Sequence, residues 1–324
     1  MDISIIIPFY QSALLIERCL RSVLSQKGEY LLEIIAVDDG STDKSAEIIT
    51  NMNIPNLQLI HQENQGPASA RNKGIKASRG KYLAFLDADD YWKPGFLKET
   101  IRFLEKNTDA IAVSTGQLHK NPGKPDAISP KILREEHTKP KTSIVLDNFY
   151  KFWAEHNHVC TGSVLMRTNV VKRTGGQRSE LRITEDLEFW AYLATFGKWG
   201  FIPKVLFVSD GGKVSKEQGW IKKNKKRWES APSIENWEER IIKRINRDNL
   251  HSYKIARGRI ARNLIYSMIQ SNRTQLARSS ALRYGDNFPK NKMSTLLKLS
   301  SRYTATWEIT CELLKLKEKF RLIK

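Results

Sequence analysis

The sequence predicts an α/β layer of mixed, mostly parallel strands with helices on both faces, followed by a basic helical C-terminal region. Three observations predict it. Short apolar, β-branched runs alternate with segments of helical periodicity over residues 1–210. Acidic and polar clusters stand at the carboxyl ends of those runs. After Ser209 the composition shifts to helices rich in Arg and Lys.

The elements follow in order. Ser4-Ile5-Ile6-Ile7 is a strand ended by Pro8, and Ile16, Leu20, Val23 and Leu24 recur at helical spacing. Glu33 to Val37 is a second strand, ended by Asp38-Asp39-Gly40; Ser41-Thr42-Asp43 then offers N-cap residues for a helix through Ile48 and Ile49. Leu57 to Ile60 reads as a third strand, Ala68 to Ala77 as a helix and Tyr82 to Leu86 as a fourth strand. Such βαβα order implies a Rossmann-like layer, in which ligands sit beyond the carboxyl ends of the strands. Tyr10 and Gln11, Asp38 and Asp39, and Asp87 and Asp89 lie there.

Thr115 to Lys141 is polar, holds Pro122, Pro125, Pro130 and Pro140, and reads as a long surface loop. Gly162 to Met166 is strand-like, Glu185 to Thr195 helical and Phe201 to Val208 strand-like. Beyond a basic run of Lys222, Lys223, Lys225, Lys226 and Arg227, Tyr253 to Ile269 and Gln275 to Tyr284 read as a helical hairpin stopped by Gly285. The expected domains are 1–210 and 211–324.

A chain of 324 residues, 40% apolar and with eight tryptophans, buries a full core. Cys19, Cys160 and Cys311 are far apart, with neither metal-ligand spacing nor a disulfide framework. The chain opens Met1-Asp2 and runs straight into a strand, and no apolar run reaches membrane-span length, so the expected place is cytoplasmic. The formal charge of +19 points to anionic partners: nucleic acid, an acidic membrane or phosphorylated substrates.

Asp87-Ala88-Asp89-Asp90 follows an apolar strand directly. In extended backbone Asp87 and Asp89 point the same way, toward one ligand. Mg²⁺ or Mn²⁺ is commonly held by one or two carboxylates plus substrate phosphate oxygens. The same residues also read as a solvated acidic turn before a helix from Gly95 to Asn107.

Four pieces occur in order: Ser4-Ile-Ile-Ile-Pro-Phe-Tyr10, Val37-Asp-Asp-Gly-Ser-Thr-Asp43, Asn64-Gln-Gly-Pro-Ala-Ser-Ala-Arg-Asn72 and Phe85-Leu-Asp-Ala-Asp-Asp90. Together, over the first 210 residues, they resemble the family 2 glycosyltransferases, whose fold is termed GT-A. The resemblance implies that Pro8 and Tyr10 border the base of a nucleoside-diphosphate sugar and that Asp39 bonds the base or ribose. It places Arg71 near the diphosphate, Asp87 by the ribose or metal, and Asp89 as the main contact of a divalent metal, Mn²⁺ or Mg²⁺. Gln11 departs from the family's usual Asn after the Tyr.

Thr184-Glu-Asp-Leu-Glu-Phe-Trp190 resembles the Glu-Asp motif that supplies the catalytic base of inverting members. Asp186 is the matching base, with Glu185 second. The competing reading is acidic charge that complements a helix N-terminus. Gly162-Ser163 and Gly175-Gly176 resemble acceptor-side loops. His156 and His158 near Cys160 lack further ligands and read as surface or acceptor-cleft residues. Asn224-Lys-Lys-Arg-Trp228 resembles the Gln-X-X-Arg-Trp box of processive polymerases, without its Gln or their membrane helices.

The resemblance implies transfer from a UDP-sugar to a hydroxyl of a glycan or lipid-linked oligosaccharide in bacterial surface-polysaccharide synthesis. Acceptor choice is expected in the 115–150 and 211–232 loops. Two alternatives carry the same charge: an inactive nucleotide-sugar-binding protein, and a nucleic-acid binder, for which no zinc finger, helix-turn-helix or ribonucleoprotein motif is present. A nucleotidyltransferase is disfavoured because residues 8–20 hold no glycine and no P-loop is present. In the tail, Met293, Leu296, Leu297, Tyr303, Trp307, Cys311 and Leu314 fall near one helical face, among Lys298, Arg302, Lys315, Lys317, Lys319 and Arg321. That pattern suits either a peripheral contact with the anionic inner face of the plasma membrane or a helix packed on its own domain.

Overall fold

The computed structural model describes residues 1–26, 28–120, 123, 125–134, 141–210 and 225–323. Pro122, Pro140, Lys222, Lys223, Asn224 and the 211–224 part of the expected acceptor loop lie outside these, as does the side chain of Arg321. The chain divides into two compact units, Met1–Ser179 with Phe189–Val214, and Glu180–Glu188 with Ser215–Lys324. Glu180–Glu188, which carries Glu185 and Asp186, thus groups with the C-terminal unit.

The first unit is built on a ten-stranded mixed sheet in the order β3-β2-β1-β4-β9-β6-β10-β5, with β7 added on β6 and β8 on β10. Strands β1 (Ile3–Phe9), β2 (Leu32–Asp38), β3 (Leu57–His61) and β4 (Tyr82–Phe85) are mutually parallel. All seven residues of β1 are buried, as expected of a central parallel strand covered on both faces. Helix α1 (Ile16–Leu24) buries Ile16, Cys19, Leu20 and Val23, one face at helical spacing. Short α2 (Ser45–Asn51) follows β2. Helix α3 (Pro67–Ala77) starts with Pro at its first turn after Gly66 at φ 90°. It packs so closely on β1 that a Cβ on Gly74 would stand 2.4 Å from Ile6 Cγ2.

Beyond β4 the sheet becomes mixed. The two-residue β5 (Tyr91–Trp92) pairs antiparallel with β10 (Lys198–Ser209), and α4 (Phe96–Lys106) leads into β6 (Ala110–His119). β9 (Val164–Arg167) runs antiparallel between β4 and β6, and β6 is parallel to β10. Part of the stretch expected as a loop from Thr115 is therefore sheet: the end of β6, then β7 (Ala127–Ser129) before a 3₁₀ turn at Lys131–Arg134. Ser114, Thr115 and Gln117 are polar yet buried, and segments distant in sequence satisfy Ser114 and Gln117. Trp199 Nε1 donates to Ser114 Oγ at 3.3 Å, and Gln117 Nε2 donates to the His158 carbonyl at 3.1 Å. β8 (Ile144–Leu146), α5 (Phe149–His156), α6 (Thr168–Arg173) and α7 (Glu185–Leu193) complete the order up to β10. His158 is fully buried, and its ring lies among Phe149, Phe152, Trp199 and Phe201.

At the amino edge of the sheet Glu33, 3% exposed, joins β2 to its neighbours. Its Oε1 accepts from Ser4 Oγ at 2.5 Å, Arg79 N at 2.6 Å and Gly80 N at 3.1 Å, and Oε2 accepts from Arg79 Nε at 3.1 Å. Burial opposes its ionisation, but the bonds from Ser4 and Arg79 outweigh burial and hold the carboxyl below its usual 4.5. The stabilisation is therefore present at neutral pH and is lost as the pH falls through that lowered value. Glu33→Gln keeps the Oε1 acceptor but not the charge. It is expected to cost about 1–2 kcal/mol at pH 7, with the two proteins' thermal midpoints converging in acid. A gap that stays constant with pH would contradict the assignment.

The second unit contains α8 (Ile234–Ile242), α9 (Arg247–Gln270), α10 (Thr274–Tyr284), α11 (Lys292–Ser300) and α12 (Thr304–Ile323). The expected hairpin is α9 and α10, with α9 beginning six residues earlier than its apolar pattern. Its centre is a buried carboxylate: Glu238 accepts from Arg257 Nη1 at 2.8 Å and from the Tyr253 hydroxyl at 3.0 Å. Gly258 has no room for a side chain, since a Cβ there would stand 1.7 Å from the Asn287 carbonyl oxygen. The tail differs from its expected single face. Leu297, Trp307, Cys311 and Leu314 are buried, and Trp307 Nε1 donates to the Thr274 carbonyl at 2.9 Å, whereas Leu296 and Tyr303 are exposed. The apolar face read from the sequence is mostly interior.

Candidate active site

The clusters at Tyr10, Asp39 and Asp87 follow β1, β2 and β4, which are adjacent and parallel, so one edge of the sheet carries all three. Adjacent strands lie about 4.8 Å apart, and the three clusters span roughly 10 Å of that edge. Pro8 is buried inside β1, while Tyr10 beyond its end is 51% exposed. Gln11 adopts φ 50°. Its amide clamps the next loop: Nε2 donates to Thr42 Oγ1 at 3.0 Å, and Oε1 accepts from Thr42 N and Asp43 N, both at 3.1 Å. The departure from the family's Asn therefore has a role, tying the first loop to the second.

Asp39 is 4% exposed. Oδ1 accepts from Gln62 Nε2 and Gln65 N, and Oδ2 from Gly66 N, all at 2.8 Å. Three donors on a carboxylate of about four lone-pair directions make Asp39 first an organiser of the turn into α3. Its neighbour Asp38 accepts from Ser41 N at 2.8 Å and lies 3.0 Å from His61 Nδ1.

Arg71 projects from α3 and is 4% exposed. It donates to Asp87 Oδ1 at 2.6 Å and to Gln177 Oε1 at 3.3 Å. Asn72 exchanges two bonds with the Gln177 backbone, at 2.7 and 2.8 Å, and so holds the Gly175-Gly176 loop against α3. Gly176 is required there twice over: its φ is 86°, and a Cβ would stand 2.4 Å from Asn72 Oδ1.

The acidic stretch turns tightly, with Asp90 N donating to the Asp87 carbonyl at 3.0 Å. Arg71 partly neutralises Asp87, whereas among the described residues the Asp89 carboxylate makes no ion pair. Burial, then the charge of Asp87, raises the Asp89 pKa. Burial and the two neighbouring carboxylates push Asp90 up to about 8. Among the described residues no group of three or more His, Cys, Asp or Glu surrounds a common metal position. Hard oxygen donors crowded at one edge nonetheless fit Mg²⁺ or Mn²⁺, which commonly take the rest of their shell from phosphate and water.

Three residues that the motifs did not single out support this stretch. Arg18 donates to the Asp89 carbonyl at 2.6 Å and is ion-paired with Asp210. Asp210 N donates to Asp90 Oδ1 at 3.0 Å. Lys120 lies 3.8 Å from Asp210 and 5.4 Å from the Tyr91 ring. Only proximity across 192 positions pairs Arg18 with Asp210, and no local signal exists for it.

In the second unit Glu185 and Asp186 are half-buried in the first turn of α7. Glu188 is fully buried and bidentate to Arg240, at 2.6 and 2.7 Å, so its carboxylate is structural. Thr184, just before the helix, has φ 61°, a conformation that strains a β-branched residue by about 1–3 kcal/mol. Trp237 Nε1 at 3.2 Å and Glu188 N at 2.9 Å both donate to its carbonyl and hold it there.

Comparison with known proteins places this geometry in context. Putative glycosyltransferase EpsH of Bacillus subtilis is 36% identical over 124 residues, 38% of this chain and 36% of the relative. Uncharacterized glycosyltransferase EpsJ of the same organism is 32% identical over 190 residues, 58% of this chain and 52% of the relative. The matches thus span about half, at most, of these relatives' own lengths. Among solved structures, S. aureus TarS 1–349 in complex with UDP-GlcNAc superimposes with a TM-score of 0.68 at 16% identity, covering 98% of this chain and 92% of that one. The mannosyltransferase PcManGT from Pyrobaculum calidifontis, in complex with GDP-Man and Mn²⁺, gives 0.58 at 17% identity, covering 98% and 88%. These likenesses show a shared fold. The model of Glycosyl transferase family 2 matches residues 4–173, more than half of the chain, and the chain belongs to that family.

Proposed function

We propose that this chain transfers a glycosyl unit from a UDP-sugar to a hydroxyl of a glycan or lipid-linked oligosaccharide, with inversion, in the synthesis of a bacterial surface polysaccharide. The observation that carries the reading is the crowding of Asp87, Asp89 and Asp90 at the sheet edge beside Tyr10 and Asp39, with Asp89 left without an ion pair among the described residues. The complexes of TarS with UDP-GlcNAc and of PcManGT with GDP-Man and Mn²⁺ support a nucleotide-sugar donor at a fold of this kind.

In this reading Asp89, with Asp87 beside it, holds Mn²⁺ or Mg²⁺. The bound cation supplies positive charge against the diphosphate as it leaves. Tyr10 and Pro8 border the base, and Asp39 keeps the turn into α3 in shape while its remaining acceptor direction meets the base or ribose. Arg71 aligns Asp87 and adds its charge to the phosphate side of the site. Asp186 takes the proton from the acceptor hydroxyl, whose oxygen bonds to the anomeric carbon as the carbon–oxygen bond to the diphosphate breaks. Glu185 is the second acid beside it. A lipid-linked acceptor places this work at an anionic membrane surface.

A panel of nucleotide sugars tests the reading. Slow hydrolysis of a UDP-sugar is expected with Mn²⁺ or Mg²⁺ and none after chelation. Failure of the folded protein to turn over any donor would sink the transferase reading, and full turnover in chelator would remove the metal from it.

A further inference from the structure

Helix α12 carries two apolar faces. Trp307, Cys311 and Leu314 form the buried one. On the other, Ile309, Leu313, Leu316 and Phe320 are 62, 60, 48 and 66% exposed. Their spacing of four, three and four residues keeps them within an arc of roughly 60°, centred roughly 160° from the buried face. Single exposed apolar side chains are ordinary, but a row of four along one helix is not. Leu299 and Tyr303, just before the helix, are also exposed, at 52 and 71%.

We propose that the row Ile309, Leu313, Leu316 and Phe320 seats the protein in the plane of an anionic lipid surface. Charge selects this occupant. Residues 246–324 hold 17 Lys and Arg against 5 Asp and Glu, so most of the chain's excess positive charge lies on the segment that carries the row. Lys317 and Lys319 stand roughly 70° and 90° to either side of it, and Glu312 on the Lys319 side is ion-paired with Lys315 at 2.8 Å. The two lysines are placed to lay their stems along the lipid and reach the headgroups. A second copy of the chain would bring the same positive segment against itself. Nucleic acid could meet the flanking lysines but would leave the apolar row itself exposed to water. No helix among the described residues is long and apolar enough to cross a membrane, and the helix has the pattern of one lying in the interface. The row rests on the lipid-linked reading of the acceptor for its use, and on exposure and charge for its existence.

Flotation of the full chain with phosphatidylcholine vesicles, with and without phosphatidylglycerol, tests it. Wild type is expected to float only with the anionic vesicles and to be released by salt. The double variant Leu313→Gln/Phe320→Gln is expected to bind them about tenfold or more weakly, with unchanged circular dichroism and unchanged donor hydrolysis in solution. Lys317→Glu/Lys319→Glu is expected to lose the preference for anionic lipid. Equal flotation of wild type and the Leu313/Phe320 variant would overturn the assignment. So would a variant whose only change is the loss of a dimer in sedimentation. Absent flotation with normal donor turnover removes the lipid surface and leaves the transferase reading intact, and flotation without turnover does the reverse.

Discussion

Asp186→Asn is expected to lower acceptor-dependent turnover by about 10²–10⁴-fold while leaving donor affinity near that of wild type. Asn keeps the shape of the side chain but cannot take a proton from the attacking hydroxyl. The local structure narrows the choice of base. Of the three acids in the first turn of α7, Glu188 is fully buried and bonded at both oxygens to Arg240, and Glu185 and Asp186 are half-buried. Thr184, kept at φ 61° by bonds to its carbonyl, sets the angle at which the helix begins. Single-turnover transfer, together with calorimetric donor binding, separates the chemical step from binding. A folded Asp186→Asn protein that transfers at close to the wild-type rate would remove Asp186 as the base and turn attention to Glu185.

Asp89→Asn carries the second large expectation: kcat/KM lower by about 10²–10³-fold, with more Mn²⁺ needed for half-maximal rate. The physical reason is the uneven neutralisation of neighbouring carboxylates. Asp87 already faces the Arg71 guanidinium at 2.6 Å, whereas the Asp89 carboxylate has no ion-pair partner among the described residues, and Arg18 donates its hydrogen bond to the Asp89 carbonyl. Asp89 therefore gains more from a cation than Asp87 does. Metal titration of donor hydrolysis for both proteins is the measurement. An unchanged metal requirement in the variant would show that Asp89 does not hold the ion.

Much of the site edge was legible because it is local. Strand, polar turn and helix recur in order, and a cluster that follows a parallel strand must stand at that strand's carboxyl end. Tyr10, Asp39 and Asp87 could be placed on one edge for that reason, and the family follows from the same segments. Less legible was what each polar side chain touches. Asp39 organises the 62–66 turn with three hydrogen bonds, a use that the Asp-Asp-Gly pattern does not distinguish from ligand contact. Gln11 looked like a minor departure, and only its four contacts to residues 41–43 show a clamp. Arg18 and Asp210 meet across 192 positions, which no spacing rule reaches.

By itself the sequence determined the α/β order, the edge at which its acidic and aromatic clusters gather, the positive C-terminal segment and the family, because each is written in short-range periodicity or motif order. Tertiary structure alone decided that polar Ser114 to Gln117 lie inside a strand, that Glu188 is an anchor for Arg240, and that Trp307, Cys311 and Leu314 turn inward while Ile309, Leu313, Leu316 and Phe320 stay exposed. Periodicity shows that a helix has apolar faces. Which face becomes interior depends on the surfaces that distant segments bring against it, and those contacts form only in the folded chain.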